Sequence, residues 1–282
     1  LMKLVIQSYS LTQDQAQHIA QLAGSSTVEA IESSPYPAFR LPNSHAVSKD
    51  AVGAYCDEQN IDYAYIDPAK QLSDFGLVVM DMDSTLINIE CIDEIADMLG
   101  IKHKVAEITE RSMRGELDFA QSLRERVALL AGLDQSALGR VYEERLQLNP
   151  GAERMLQTAH AAGLKSLLVS GGFTFFTERL QARLSLTQAH ANLLEIVDGK
   201  LTGKVASSIL DAQAKQDWLI KLRTELGLRP DQVIALGDGA NDLKMLGEAG
   251  VGIAYHAKPI VRQQAAYALT HVGLDGLLNW FA

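Results

Sequence analysis

The chain has 282 residues, 47% hydrophobic and 21% charged, which suits a soluble globular protein with one large domain or two smaller ones and excludes a disordered one. Lys and Arg number 25 against 35 Asp and Glu, a net charge of −10, so no overall field draws the protein to nucleic acid or anionic lipid, and an anionic substrate would need local cations. Cys56 and Cys91 form neither a metal-ligand spacing nor a disulfide framework, no apolar run approaches the roughly 18 residues of a membrane span, and no basic-then-apolar signal opens the sequence, so a cytoplasmic protein is expected.

Lys3 to Tyr9 reads as a strand, Thr12 to Ala23 as a helix capped by Thr12, and Thr27 to Glu32 as a second strand. Pro35, Pro37 and Pro42 interrupt the chain around Phe39 to Leu41; Ser48 can then cap a helix to Asn60, and Ile61 to Ile66 makes another strand. The pattern approximates βαββαβ, a small ferredoxin-like α+β domain over residues 1–71 that suits regulation or homodimer formation and carries no visible chemistry. Pro68 to Asp74 is polar enough to serve as a linker between this domain and the strand that begins near Leu77.

The run Leu77 to Met80 has no polar alternation, as expected of a strand buried on both faces of a parallel sheet, and it ends in Asp81 and Asp83, one residue apart. Ligands of such sheets collect beyond the carboxyl ends of the strands, so both acids are candidates for chemistry; capping a helix or starting a turn is the commoner fate of a lone Asp there. Residues 88–148 read as four amphipathic helices inserted after this strand end. Ile92, Ile95, Ala96 and Leu99 share one helical face before Gly100, a second helix covers Lys102 to Arg114, Asp118 caps a third, and Asp134 caps a fourth to about Gln147.

From Asn149 onward helices and strands alternate: a helix from Ala152 to Ala162, a strand from Lys165 to Val169 that stops at Ser170-Gly171-Gly172 where a helix opens, and a hairpin around Asp198-Gly199. Helix Ala212 to Leu226 comes next, then strand Val233 to Leu236 ending in Gly237-Asp238-Gly239-Ala240-Asn241-Asp242, with further strands at Val251 to Ala254 and Ala268 to Val272. The fold class is α/β: a doubly wound, mainly parallel sheet with a four-helix cap insertion and the N-terminal α+β domain. The catalytic domain spans 72–282, its core 72–87 and 149–282 and its cap 88–148.

Parallel strands end on one side of a sheet, so the three marked strand ends converge. A carboxylate such as Asp81 can accept a phosphoryl group and split one hard hydrolysis into two easier transfers. A hard divalent cation held by Asp81 and Asp238, with the Asp83 backbone carbonyl beside them, would offset carboxylate–phosphate repulsion; Mg²⁺ is favoured because no His or Cys cluster suggests zinc. Ser170 and the glycine amides offer donors to phosphate oxygens. Lys215 shares a face with Leu219, Leu222 and Leu226, so it either snorkels to solvent or pairs with a buried anion. Arg126 lies between Leu123 and Leu130, with the same choice between a local salt bridge and a substrate carboxylate, and Glu90 either complements its helix dipole or receives a substrate ammonium.

Asp81-Met82-Asp83-Ser84-Thr85, Ser170-Gly171-Gly172, Lys215 and Gly237-Asp238-Gly239-Ala240-Asn241-Asp242 resemble, in order, the motifs of the haloacid dehalogenase superfamily of phosphohydrolases. Glu90, the run from Arg111 to Phe119 and Arg126-Val127 are similar to those members that hydrolyse O-phosphoserine in the last step of serine biosynthesis. The resemblance implies that Asp81 is nucleophile and Mg²⁺ ligand, that Asp83 is general acid and then base, and that Asp238 is the other side-chain ligand with Asp242 in support. It further implies that Ser170, Gly171, Lys215 and Asn241 hold phosphate, that Glu90 and Arg126 take the ammonium and carboxylate, and that Met113 and Phe119 line the cap. Another small phosphomonoester as substrate, a phospho-accepting switch and a serine-sensing protein remain the alternatives.

Overall fold

In the computed structural model, which describes Leu1 to Ala282, the N-terminal elements are β1 (Met2–Gln7), α1 (Gln13–Ala23), β2 (Glu29–Ala30), β3 (Ala38–Ser44), α2 (Lys49–Gln59) and β4 (Asp62–Ile66). The sheet order β2-β3-β1-β4, antiparallel throughout, is that of a ferredoxin-like domain. Thr12 caps α1 as its sequence suggests: Oγ1 accepts from Gln15 N at 3.1 Å while Gln15 Oε1 accepts from Thr12 N at 3.0 Å. Leu4, Ile6, Ile19, Leu41, Val52 and Ile61 pack between sheet and helices.

Two local readings within residues 1–71 fail. The strand expected over Thr27 to Glu32 shrinks to Glu29–Ala30, an exposed edge pair, because the chain turns into the proline segment straight afterwards. Ser48 makes no side-chain cap to α2; a 3-10 turn over Ala46–Ser48 runs directly into the helix, and Ser48 Oγ donates to His45 O at 2.5 Å and bonds Tyr65 Oη at 2.7 Å instead.

The larger sheet has six strands, β5 (Leu77–Met80), β6 (Lys165–Phe173), β7 (Gln188–Asn192), β10 (Val233–Gly237), β11 (Val251–Tyr255) and β12 (Tyr267–Leu269), in the order β12-β11-β10-β5-β6-β7. Its pairings β10–β11, β11–β12 and β6–β7 are parallel. Strand order reverses between β5 and β10, the kind of position at which open α/β sheets bind ligands. β5, β10 and β11 are buried along their whole length, which explains their unbroken apolar sequence.

By contacts the chain forms two units, residues 1–78, 150–165 and 228–282 in one and 79–149 with 166–227 in the other. In the first, Asp62 at the start of β4 accepts from the N–H groups of Thr270, His271 and Val272 at 2.8, 2.8 and 2.9 Å, tying the N-terminal sheet to the segment after β12. In the second, the cap helices are α3 (Cys91–Met98), α4 (Lys102–Met113), α5 (Phe119–Ala128) and α6 (Ser136–Glu144). Asp118 caps α5 with a reciprocal Gln121 bond; Asp134 instead accepts from Ser136 N in a turn, and Gln135 occupies the cap position of α6.

The hairpin β8 (Leu194–Val197) and β9 (Lys200–Val205) turns at Asp198-Gly199, both at positive φ, as a two-residue turn requires. It stands outside the large sheet and bonds the loop between α5 and α6: Gly132 N donates to Leu201 O at 2.7 Å and Leu201 N to Leu133 O at 2.8 Å. The remaining helices are α7 (Ala152–Ala161), α8 (Thr174–Leu184), α9 (Ala212–Glu225), α10 (Leu243–Gly247), α11 (Pro259–Gln264) and α12 (Gly276–Trp280). No helix is long and apolar enough to cross a membrane.

Candidate active site

β5 delivers Asp81 at its carboxyl end, 6% exposed. Lys215 sits in the first turn of α9, 1% exposed, and its Nζ is 2.8 Å from Asp81 Oδ1. The lysine on an apolar helical stripe therefore does not snorkel; it pairs with a buried carboxylate.

Beyond Asp81 the chain makes a tight loop before α3. Thr85 N and Ile87 N both donate to Met82 O, and Ser84 takes φ +59, so its side chain turns back to donate from Oγ to Glu90 Oε1 at 2.7 Å. Asp83 Oδ2 accepts from Cys91 N at 3.2 Å, and the Cys91 thiol also bonds this carboxylate. Asp83 Oδ1 is buried without a partner. Burial first, then the negative charges of Glu90 and Asp81, push the Asp83 carboxyl well above the usual carboxylate range. Asn149 staples the loop to the cap's return: Nδ2 donates to Thr85 O at 2.8 Å and Ile87 O at 3.0 Å. The sequence marks Ser84 only as part of the Asp81–Thr85 motif, without a role, and marks neither Cys91 nor Asn149 as a site residue.

Glu90, the cap residue of α3, stands open to solvent, yet surrounding protein and the Asp81 charge raise its carboxyl against the bond from Ser84 and the attraction of Arg126. Arg126 is half-buried in the last turn of α5, donates from Nε to Ser122 O of its own helix at 3.2 Å, and makes no ion pair with any acid of its unit. Burial lowers its pKa while Asp93, Glu90 and Asp83 raise it, so the guanidinium lies in a field of acids without a bidentate partner. Met113 ends α4, is 70% exposed and joins none of these bonds.

The sequence suggests that β6 stops at Ser170 and that a helix opens there. Instead β6 continues to Phe173 and α8 starts at Thr174, because three residues of β6, 170–172, face the single residue Ala191 of β7 between the pairs Val169–His190 and Phe173–Asn192, a bulge in the parallel ladder. The glycine amides are thus presented by an irregular strand end rather than by a helix terminus. Gly172 N donates to Ser170 Oγ at 2.8 Å. A Cβ at Gly171 would lie 2.8 Å from Phe119 Cζ, and one at Gly172 3.6 Å from Asp83 Oδ2, so the cap's aromatic ring and the acid both approach this backbone closely.

At the end of β10, Asp242 folds its carboxylate back to accept from Asp238 N at 3.0 Å and Gly239 N at 3.1 Å. Gly237 is required beneath it, since a Cβ there would fall 2.5 Å from Asp242 Cβ. Asn241 lies in the same 3-10 turn, Ala240–Asp242. Asp81, Asp238 and Asp242 can each bring a carboxylate oxygen within 4.8 Å of the others. Three hard oxygen donors fit a hard divalent cation. The Asp83 side chain is outside this group, and Asp242 is within it.

A model of the haloacid dehalogenase-like hydrolases matches residues 75–250. A phosphoserine phosphatase of Polaromonas sp. strain JS666 is 54% identical over 217 residues, 75% of this chain and 92% of the relative. A haloacid dehalogenase family hydrolase from Salmonella enterica serovar Typhi superposes with a TM-score of 0.88 at 32% identity, covering 99% of this chain and 98% of that one. A phosphoserine phosphatase solved as a phospho-aspartyl intermediate analogue superposes with a TM-score of 0.69 at 37% identity, covering 76% of this chain and all 100% of that one.

Proposed function

The chain belongs to the haloacid dehalogenase-like hydrolases, and we propose that it hydrolyses O-phospho-L-serine to L-serine and phosphate through a phosphorylated Asp81. The observation that carries the substrate is Arg126: a half-buried guanidinium held only by its own helix, with Glu90 nearby as an acid in the same cap. A carboxylate and an ammonium on one small phosphate ester would satisfy both.

In the first step an Asp81 oxygen attacks phosphorus, the bond from phosphorus to the serine oxygen breaks, and Asp83 gives its proton to that oxygen. Burial and the neighbouring acids favour a protonated Asp83 at the start, which suits a general acid. In the second step the Asp83 carboxylate takes a proton from water as the water attacks phosphorus, releasing phosphate and restoring Asp81. Lys215 holds Asp81 and the transferring group against their mutual repulsion, while Ser170, the Gly171 amide and Asn241 bind phosphate oxygens. Mg²⁺, held by Asp81, Asp238 and Asp242 with the Asp83 backbone, would neutralise charge on the phosphoryl group. Phe119 lies over Gly171 on the cap side, and the exposed Met113 at the end of α4 would line the cap with it once substrate is bound.

The same reading makes residues 72–87 and 149–282 the core and 88–148 the cap of a cytoplasmic enzyme, with residues 1–71 serving regulation or homodimer formation. Phosphate release from phosphoserine, phosphoethanolamine and phosphoglycolate, with Mg²⁺ and with chelator, tests it. Phosphoserine should be preferred, chelator should abolish turnover, and Arg126→Ala should raise KM for phosphoserine at least about tenfold while leaving phosphoethanolamine, which lacks the carboxylate, little changed. Equal effects on the two substrates would refute the role of Arg126, and activity in Asp81→Asn would refute the mechanism.

A further inference from the structure

The phosphate-facing backbone of β6 contains two successive glycines inside a bulge, a combination that leaves a peptide plane free to flip. The peptide joining Gly171 to Gly172 is nevertheless pinned at both ends. Its N–H donates to Ser170 Oγ at 2.8 Å, and its carbonyl accepts from Asn192 Nδ2 at 3.0 Å. Asn192 is fully buried at the end of β7, opposite Phe173. Its Oδ1 accepts from Leu210 N at 2.8 Å, immediately before Asp211, the residue that caps α9 and so sets the turn carrying Lys215.

We propose that Asn192 is the positioning residue of the phosphate site, its one carboxamide setting both the Ser170-Gly171-Gly172 peptide and the start of the Lys215 helix. Holding the Gly171 carbonyl back directs the Gly172 N–H at Ser170 Oγ. With that oxygen engaged as acceptor, the Ser170 hydroxyl has its own proton to give to a phosphate oxygen. The Oδ1 bond sets where α9 begins, and hence where the Lys215 ammonium meets Asp81. No backbone partner replaces these bonds within the bulge, because the β6–β7 register has already shifted there. The assignment rests on the phosphatase reading above.

Two variants separate the bonds. Asn192→Leu removes both at nearly constant size, and Asn192→Asp keeps an acceptor for Leu210 N but loses the amide donor to Gly171. Inhibition by each product is measured apart, inorganic phosphate for one end of the site and L-serine for the other, with thermal unfolding as a control on folding. Asn192→Leu should weaken phosphate inhibition about tenfold or more, with L-serine inhibition changed less than about twofold; Asn192→Asp should show the same split. A purely structural residue would change both products together or neither, and either result overturns the proposal. Should both variants fail to fold, hydrogen exchange of the wild type decides: the Gly172 and Leu210 amides should be protected, and exchange at the rate of an open loop overturns it. A wild type that releases no phosphate from any ester would instead sink the phosphatase reading itself.

Discussion

Lys215→Met removes an ammonium and keeps most of the apolar stem. In the wild type Nζ stands 2.8 Å from Asp81 Oδ1, with the two side chains 1% and 8% exposed. Water therefore cannot take the cation's place cheaply, and breaking a buried pair from one side costs about 3–5 kcal/mol, most of it the penalty of an uncompensated carboxylate. Asp81→Asn in the same background removes that charge. The double variant should therefore recover about 1–3 kcal/mol relative to the sum of the two single losses. Urea unfolding of wild type, both single variants and the double variant, all in chelator so that no metal compensates Asp81, gives the coupling. If the losses simply add, the ammonium and carboxylate do not interact in solution, and the assignment of Lys215 to the nucleophile is wrong. With Mg²⁺ present, Lys215→Met should also lower kcat by about 10²–10³, as expected when a preorganised charge at a transferring group is lost.

Asp83→Asn should lower kcat by about 10²–10⁴ yet stabilise the metal-free protein at neutral pH. Because burial and neighbouring acids raise this carboxyl above its unfolded value, the folded state retains a proton that the unfolded chain has already released; wild-type stability should therefore fall as pH climbs from about 4 through the raised pKa. Thermal unfolding against pH in chelator checks the sign, and a wild type that outlasts the variant at pH 7 would contradict it. Gly171→Ala should displace the Phe119 ring, whose Cζ lies 2.8 Å from the new methyl, raising KM several-fold with a stability change within about 1 kcal/mol, and Phe119→Leu should restore much of the lost affinity. Asp62→Asn retains one acceptor oxygen for three donors, so denaturant unfolding should report a loss of about 2–4 kcal/mol; no loss would mean that the bonds to residues 270–272 are not formed in solution.

Much of the chemistry was visible in one dimension because its signals are local. An apolar run ending in Asp81 and Asp83 is a buried strand meeting a site, and a lysine on the stripe of Leu219 and Leu222 needs an anion. The four cap helices and the Asp198-Gly199 turn arise from periodicity and turn chemistry in the same way. What pairs with what is a different kind of information. The extension of β6 past Ser170 depends on how β7 runs beside it, and the attachment of the β8–β9 hairpin to residues 132–133 depends on backbone bonds across more than sixty positions. Cys91 is an apolar helix residue until the loop after β5 lays the Asp83 carboxylate on its amide.

Asn192 carries no motif at all; only the fold brings Gly171 and Leu210 to its two amide atoms. Which groups can attack, donate protons and bind charge is written in the order of residues, because those are properties of side chains and their immediate neighbours. Which proton is held, which peptide is pinned and which cation lacks an acidic partner emerge only in the folded chain, because burial and long-range hydrogen bonding exist only once distant segments meet.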